Sequence, residues 1–158
     1  MMIRTAETNL KALGLELPAA PKPVASYVPC VQSGNLVFVS GQGTIFNGQR
    51  LYVGAVGRER TPDEGYQAAR ICALNLLSQL RSYLGTLDRV TRIVNLRGYV
   101  NSADGFYAQP AVINGASDLL HQVFGPEIGR HSRTALGVSV LPNNITAEVE
   151  LVVEVDSL

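Results

Sequence analysis

The sequence predicts an α+β domain in which a β-sheet carries two helices on one face. Three observations lead there. Two segments place apolar residues at helical spacing, the others read as strands from alternation and turn signals, and together they run β-β-β-α-β-α-β-β. The 158 residues suit one domain. A chain of that size buries about 68–70% of its unfolded surface, so its core needs no disulfide or metal staple.

Residues 1–22 read as a lead-in: a short helix from Thr5 to Leu13 closed by Gly14, then Pro18 to Pro23, where prolines hold the backbone extended. The domain proper spans 23–158. Ala25 to Gln32 and Leu36 to Ser40 read as strands joined by the turn Ser33-Gly34-Asn35. Gly41-Gln42-Gly43 lets the backbone approach something closely. Phe46 to Val53 reads as a turn and a short strand.

The first long helix is announced by Thr61-Pro62-Asp63-Glu64, an N-cap, a first-turn proline and a capping-box glutamate. Ala69, Cys72, Ala73, Leu76, Leu77, Leu80 and Leu84 form its stripe, and Gly85 closes it. Arg70 and Arg81 lie off the stripe and read as solvated. From Arg92 to Val100 a half-buried strand alternates, with Val94, Leu96 and Val100 facing one way. The second helix runs from about Pro110 to Phe124, where Gly125-Pro126 is expected to end it. Arg133 to Val140 and Ile145 to Val155 complete the domain and read as a hairpin around Leu141 to Asn144. That hairpin would put Glu148 opposite about Gly137, on the same face as Arg133. This face, away from the helices, mixes small residues with isolated charges, a pattern that suits a partner surface.

Composition excludes several classes. Lys+Arg and Asp+Glu number 13 each, so the charge clustering demanded by phosphate backbones is missing and nucleic acid is not expected as a partner. No run approaches the ~20 apolar residues of a membrane span, and no membrane partner is expected. Met1 to Leu17 carries scattered charges rather than a signal-like apolar block. Cys30 and Cys72 lack CxxC spacing and read as reduced thiols, which points to a cytoplasmic protein without structural zinc.

Several residues carry candidate chemistry. Arg133, at a strand start, has the fork geometry that holds a carboxylate or phosphate, although a lone strand-edge arginine is more often a surface residue. Glu148 stands mid-strand among valines and has the setting for proton handling, but Glu150 and Glu154 share its parity and position alone does not choose among them. Asn114 either bonds neighbouring backbone or points at a ligand. Tyr27 reads first as packing. His121 and His131 have no matched Ser or Cys partner in the sequence and read as packing.

Asn35 to Gln42, Asn114, Arg133 to Pro142 and Ala147 to Glu150, in this order and spacing, resemble the RidA/YjgF superfamily, formerly the L-PSP endoribonucleases, over about residues 23–156. The resemblance implies a chorismate-mutase-like fold and a homotrimer with ligand clefts between subunits. It implies that Arg133 grips a substrate carboxylate and that Glu148 positions or activates water. Tyr27, Ser40, Gly41, Asn114 and Ala135 would line the cleft. The implied activity is hydrolysis of a 2-imino acid or enamine to a 2-keto acid and ammonia, with no metal or organic cofactor. Where the family often has a cysteine two residues after the arginine this chain has Ala135; Gly137 replaces a charged residue, and Thr44 a proline. A non-catalytic binder of small carboxylates and, less favoured, an endoribonuclease are the alternatives.

Overall fold

The computed structural model describes residues 5–157. Its elements are α1 (Ala6–Ala12), β1 (Cys30–Ser33), β2 (Leu36–Gln42), β3 (Ile45–Phe46), β4 (Gln49–Arg50), α2 (Pro62–Leu84), β5 (Val90–Asn101), α3 (Gln109–Ile128), β6 (Ser132–Val138) and β7 (Ala147–Val155). Helix α2 starts where its capping box predicts. The Thr61 hydroxyl accepts the Glu64 N–H at 3.1 Å, and the Glu64 carboxylate accepts the Thr61 N–H at 2.8 Å. It ends on Gly85 in the left-handed region, at φ 85°.

Gly125-Pro126 ends the long run of α3, as expected. Gly125 takes φ 79° and ψ 176°, and the helix resumes through Ile128. A proline in the first turn of the resumed segment loses no helical hydrogen bond, so one further short turn follows the break. The strand expected from Ala25 is regular only from Cys30, so Tyr27 lies in irregular chain before it. The turn-and-strand expectation over Phe46 to Val53 becomes the small β3–β4 hairpin, with Val53 bridging Ile145.

Five strands form one mixed sheet in the order β1-β2-β7-β5-β6. The expected hairpin between the last two strands is absent. β7 runs antiparallel between β2 and β5, while β6 lies parallel to β5 at the sheet edge. The reason is the β5-α3-β6 path: a helix carries the chain back to start a strand in the same direction, as parallel pairing requires. A short 3₁₀ turn at Pro142–Asn144, with Asn143 and Asn144 at φ 55° and 57°, then leads the chain into β7 at the middle of the sheet.

Helices α2 and α3 cover one face. Leu76, Leu77 and Leu80 of α2, Ile113, Leu119 and Leu120 of α3, and Ile93, Leu96 and Leu151 of the sheet are fully buried there. Each such side chain contributes about 1.5–3 kcal/mol by leaving water. A bulge in β5 between Ile93 and Asn95 turns Ile93 into the core, where alternation alone would have sent Val94. Two glycines let α3 settle close. A Cβ on Gly98 would overlap the Ile113 side chain, and one on Gly115 would overlap the Tyr66 carbonyl of α2.

Helix α1 packs against this pair with Leu10 buried, and Asn9 donates to the Val123 carbonyl at 2.8 Å. Arg81, expected to be solvated, makes two bonds to the Glu7 carboxylate at 3.1 and 2.7 Å. Arg70 bonds Gln122 at 3.2 Å. Among the described residues no helix is long and apolar enough to cross a membrane, and no cluster of three metal-ligating side chains occurs.

Candidate functional site

The candidate residues fall into two groups on opposite faces of the sheet. The first surrounds Glu148. Between Val39 and Gln42, β2 carries one residue more than β7 needs to stay in register, and this bulge frees Ser40 and Gly41 from regular pairing. Glu148 leaves β7 on the face away from the helices and reaches the same place. Its carboxylate lies so close over Gly41 that a Cβ there would overlap Oε1, and the Glu148 side chain would have to move aside to admit one. Tyr27, Ser40, Gly41 and Glu148 together line a cavity of about 180 Å³. Lys22 and Arg50, which the sequence did not single out, line it too and give it a cationic rim that favours an anionic ligand.

Burial raises the Glu148 carboxyl above the ordinary carboxylate range, the Glu150 charge adds to this, and no hydrogen bond opposes them. Glu150 is different: it accepts from Arg97 at 3.3 Å and from the Tyr99 hydroxyl at 3.2 Å. Glu148 faces the cavity with no hydrogen-bond or ion-pair partner among the described residues, and Glu154 does not line it, so the choice that parity left open falls on Glu148. Ser40 adds a second unmet group, for its Oγ is buried and has no hydrogen-bond partner among the described residues. A ligand or water in the cavity would supply one.

The second group centres on Arg133, and here the sequence expectation is corrected. The hairpin reading puts Arg133 and Ala135 on the face of Glu148. They lie instead on the helix side of the edge strand, because Arg133 pairs with the buried Leu96 and Ala135 with Gly98. The Arg133 guanidinium rests on α3. Nη1 donates to Asn114 Oδ1 at 2.7 Å and to Ser117 Oγ at 3.3 Å, and Nη2 donates to the Pro110 carbonyl at 3.2 Å. Guanidinium has five N–H donors, so Nε–H and one Nη2–H remain for a ligand, enough for a two-bond carboxylate grip. Asn114, placed between backbone and ligand by its sequence position, is the acceptor that holds this arginine.

The sequence also missed a histidine contact. His131 lacks a partner along the chain but meets Ser117, at 2.9 Å from Oγ to Nε2, once α3 and β6 are packed. The two histidine rings stack with centroids 5.3 Å apart. No linear motif links Ser117 to His131, 14 residues on, so only the fold reveals the pair.

Within one chain the two groups do not meet. Arg133 aligns through Leu96 with Leu151, three residues from Glu148, and β5 stands between their strands. Two strand spacings of about 4.8 Å and three residues of about 3.4 Å separate the positions, with the sheet itself between the side chains.

The chain matches the family model described as "YjgF/chorismate_mutase-like, putative endoribonuclease" over residues 7–155. Protein TCP17 of Trypanosoma cruzi is 46% identical over 149 residues, covering 94% of this chain and 93% of its own. The crystal structure of Atu1372 from Agrobacterium tumefaciens, a protein of unknown function, is 42% identical with a TM-score of 0.88, covering 96% of this chain and 92% of that one. A "putative endoribonuclease" from Shewanella oneidensis MR-1 is 38% identical with a TM-score of 0.92, covering 96% and 99%.

Proposed function

The chain belongs to the YjgF/chorismate-mutase-like family, and on that premise we propose that it hydrolyses small 2-imino acids and their enamine tautomers to 2-keto acids and ammonia. The observation that carries this reading is Glu148, a half-buried carboxyl with raised proton affinity that faces a cavity and has no partner among the described residues. Such a group can both take up and give back protons. Water adds to the imine carbon, its oxygen forms the new bond, and the C=N π electrons move to nitrogen, which takes a proton. The resulting carbinolamine loses ammonia as its hydroxyl proton departs and the C=O bond forms. Glu148 serves each proton transfer in turn. The C=N carbon is already electrophilic, so the scheme needs no metal or organic cofactor.

Arg133 grips the substrate carboxylate through Nε–H and Nη2–H, in the manner of a preorganised fork. Its separation from Glu148 within one chain supports a site assembled between copies, with the Arg133–Asn114–Ala135 edge of one subunit set against the Tyr27–Ser40–Gly41–Glu148 cavity of the next. A homotrimer closes such head-to-tail contacts into a ring. The exposed apolar residues Val28, Val31 and Phe38, which line a groove beside Arg97 and Glu150, suit burial in that assembly. Cleavage of RNA has less support, since net charge is zero and both ring nitrogens of His131 already have partners.

The test generates 2-aminoacrylate in place with a pyridoxal-phosphate serine dehydratase and follows pyruvate release. Keto-acid formation faster than spontaneous hydrolysis and proportional to added protein is expected, from a species of about three chain masses by ultracentrifugation. No acceleration overturns the proposal. Tight keto-acid binding without turnover would assign the cavity to a non-catalytic binder instead.

A further inference from the structure

We propose that His131 is a positioning residue for Arg133, acting through Ser117, so that one ordered run of hydrogen bonds from the guanidinium to the Gly129 carbonyl aims the fork. The inference rests on the reading of Arg133 as the carboxylate grip.

The direction of the run follows from valence. His131 Nδ1 lies 2.7 Å from the Gly129 carbonyl oxygen, which only accepts, so Nδ1 carries the proton. In the neutral ring Nε2 is then a bare acceptor. Ser117 Oγ, 2.9 Å away, must give its only proton to Nε2. The hydroxyl can then only accept on its other side, where Arg133 Nη1 donates at 3.3 Å. Arg133 donates to Ser117, Ser117 to His131, and His131 to backbone at the C-terminal end of α3. With Asn114 and Pro110 holding other donors, the guanidinium plane is fixed at three points and its remaining edge is free.

The surroundings favour this neutral state. Burial holds the His131 imidazole below its ordinary value; His121 on α3 and Arg133 on β6, the charged groups acting on it, push the same way, and only the Gly129 bond opposes them. A second proton would land on Nε2. Ser117 would then have to accept from two cations at once, and its own proton would turn away from the ring. The brace slackens as pH falls through the lowered value, below the ordinary histidine range of about 6.5. Grip on a carboxylate weakens with it, whereas proton transfer at Glu148 has its own titration.

Two measurements test this. Long-range ¹H–¹⁵N NMR on the whole protein should show neutral His131 as the Nδ1–H tautomer titrating below 6.5, with the midpoint rising in Ser117→Ala. An Nε2–H tautomer, or a midpoint at or above 6.5, overturns the inference. Calorimetry with 2-oxobutyrate, alongside imine kinetics, should show Ser117→Ala raising Kd and KM about five-fold, the worth of one net hydrogen bond, with kcat within about two-fold. His131→Gln, which keeps an acceptor but cannot titrate, should bind as the parent does at pH 7.5 and lose the acid weakening. If Arg133→Ala weakens 2-oxobutyrate binding and neither Ser117→Ala nor His131→Gln changes Kd or its pH profile, this inference alone fails. If Arg133→Ala leaves binding intact, the grip reading fails and takes the inference with it.

Discussion

Replacing Arg133 with alanine should lower kcat/KM for a small 2-imino acid by at least about 10²-fold, close to 2.7 kcal/mol of transition-state stabilisation. The size of the loss follows from what the side chain does in the proposed cycle. It binds the carboxylate by two parallel bonds, and by fixing that end it sets the imine carbon against the water held at Glu148. The first role raises KM when lost and the second lowers kcat, so both should change. Arg133→Lys restores charge but not the fork and should recover only part of the rate. Stability is a separate matter: Asn114 and Pro110 make exposed bonds to Arg133, and water can replace the guanidinium there. The melting temperature should therefore move by only a few degrees, about what one lost exposed contact costs in a domain of this size. Parent-like kinetics for Arg133→Ala would remove this residue from the site.

Glu148→Gln should lose about 10²–10⁴-fold in kcat, the usual contribution of a positioned acid–base group, yet leave the protein at least as stable at neutral pH. The amide keeps the shape that sits over Gly41, so the cavity is preserved. The stability sign follows from the titration. Because the folded carboxyl is raised above its unfolded value, the stabilisation it brings is fully present below the unfolded value and is lost as pH rises through the folded one. At pH 7 the parent carries the cost of a desolvated charge and the variant does not. Melting curves at pH 7 and pH 4 should show the variant's advantage shrinking on acidification. A variant melting well below the parent at pH 7 would mean that Glu148 holds the fold together.

Much of this was legible in the chain because the informative signals are local. A capping box and an apolar stripe define α2 without reference to anything distant, and the Ser40-Gly41-Gln42 strand end with the Arg133 to Pro142 run is specific enough to point to the family. Strand partnership is not local. β6 alternates in the same way whether its neighbour is β5 or β7, and the turn at Leu141 to Asn144 looks like a hairpin until β7 is seen to enter the centre of the sheet. A hairpin with β7 would set Arg133 on the face away from the helices and pairing with β5 sets it on the other, since parity says which residues share a side but not which side meets the helices. The signal that would have corrected it was the helix between β5 and β6, which argues for parallel pairing. Ser117 escaped notice for a related reason: its hydroxyl matters only because α3 carries it over the edge strand.

The placement of the fork and the carboxyl on opposite sides of one sheet has a genetic consequence. Two alleles, each inactive alone, should complement when co-expressed, since an Arg133→Ala chain still brings an intact acid and a Glu148→Gln chain an intact fork. With random mixing of equal amounts, roughly one junction in four joins the two good halves and regains its turnover. Were each chain to build its own site, the mixture would stay as dead as its components.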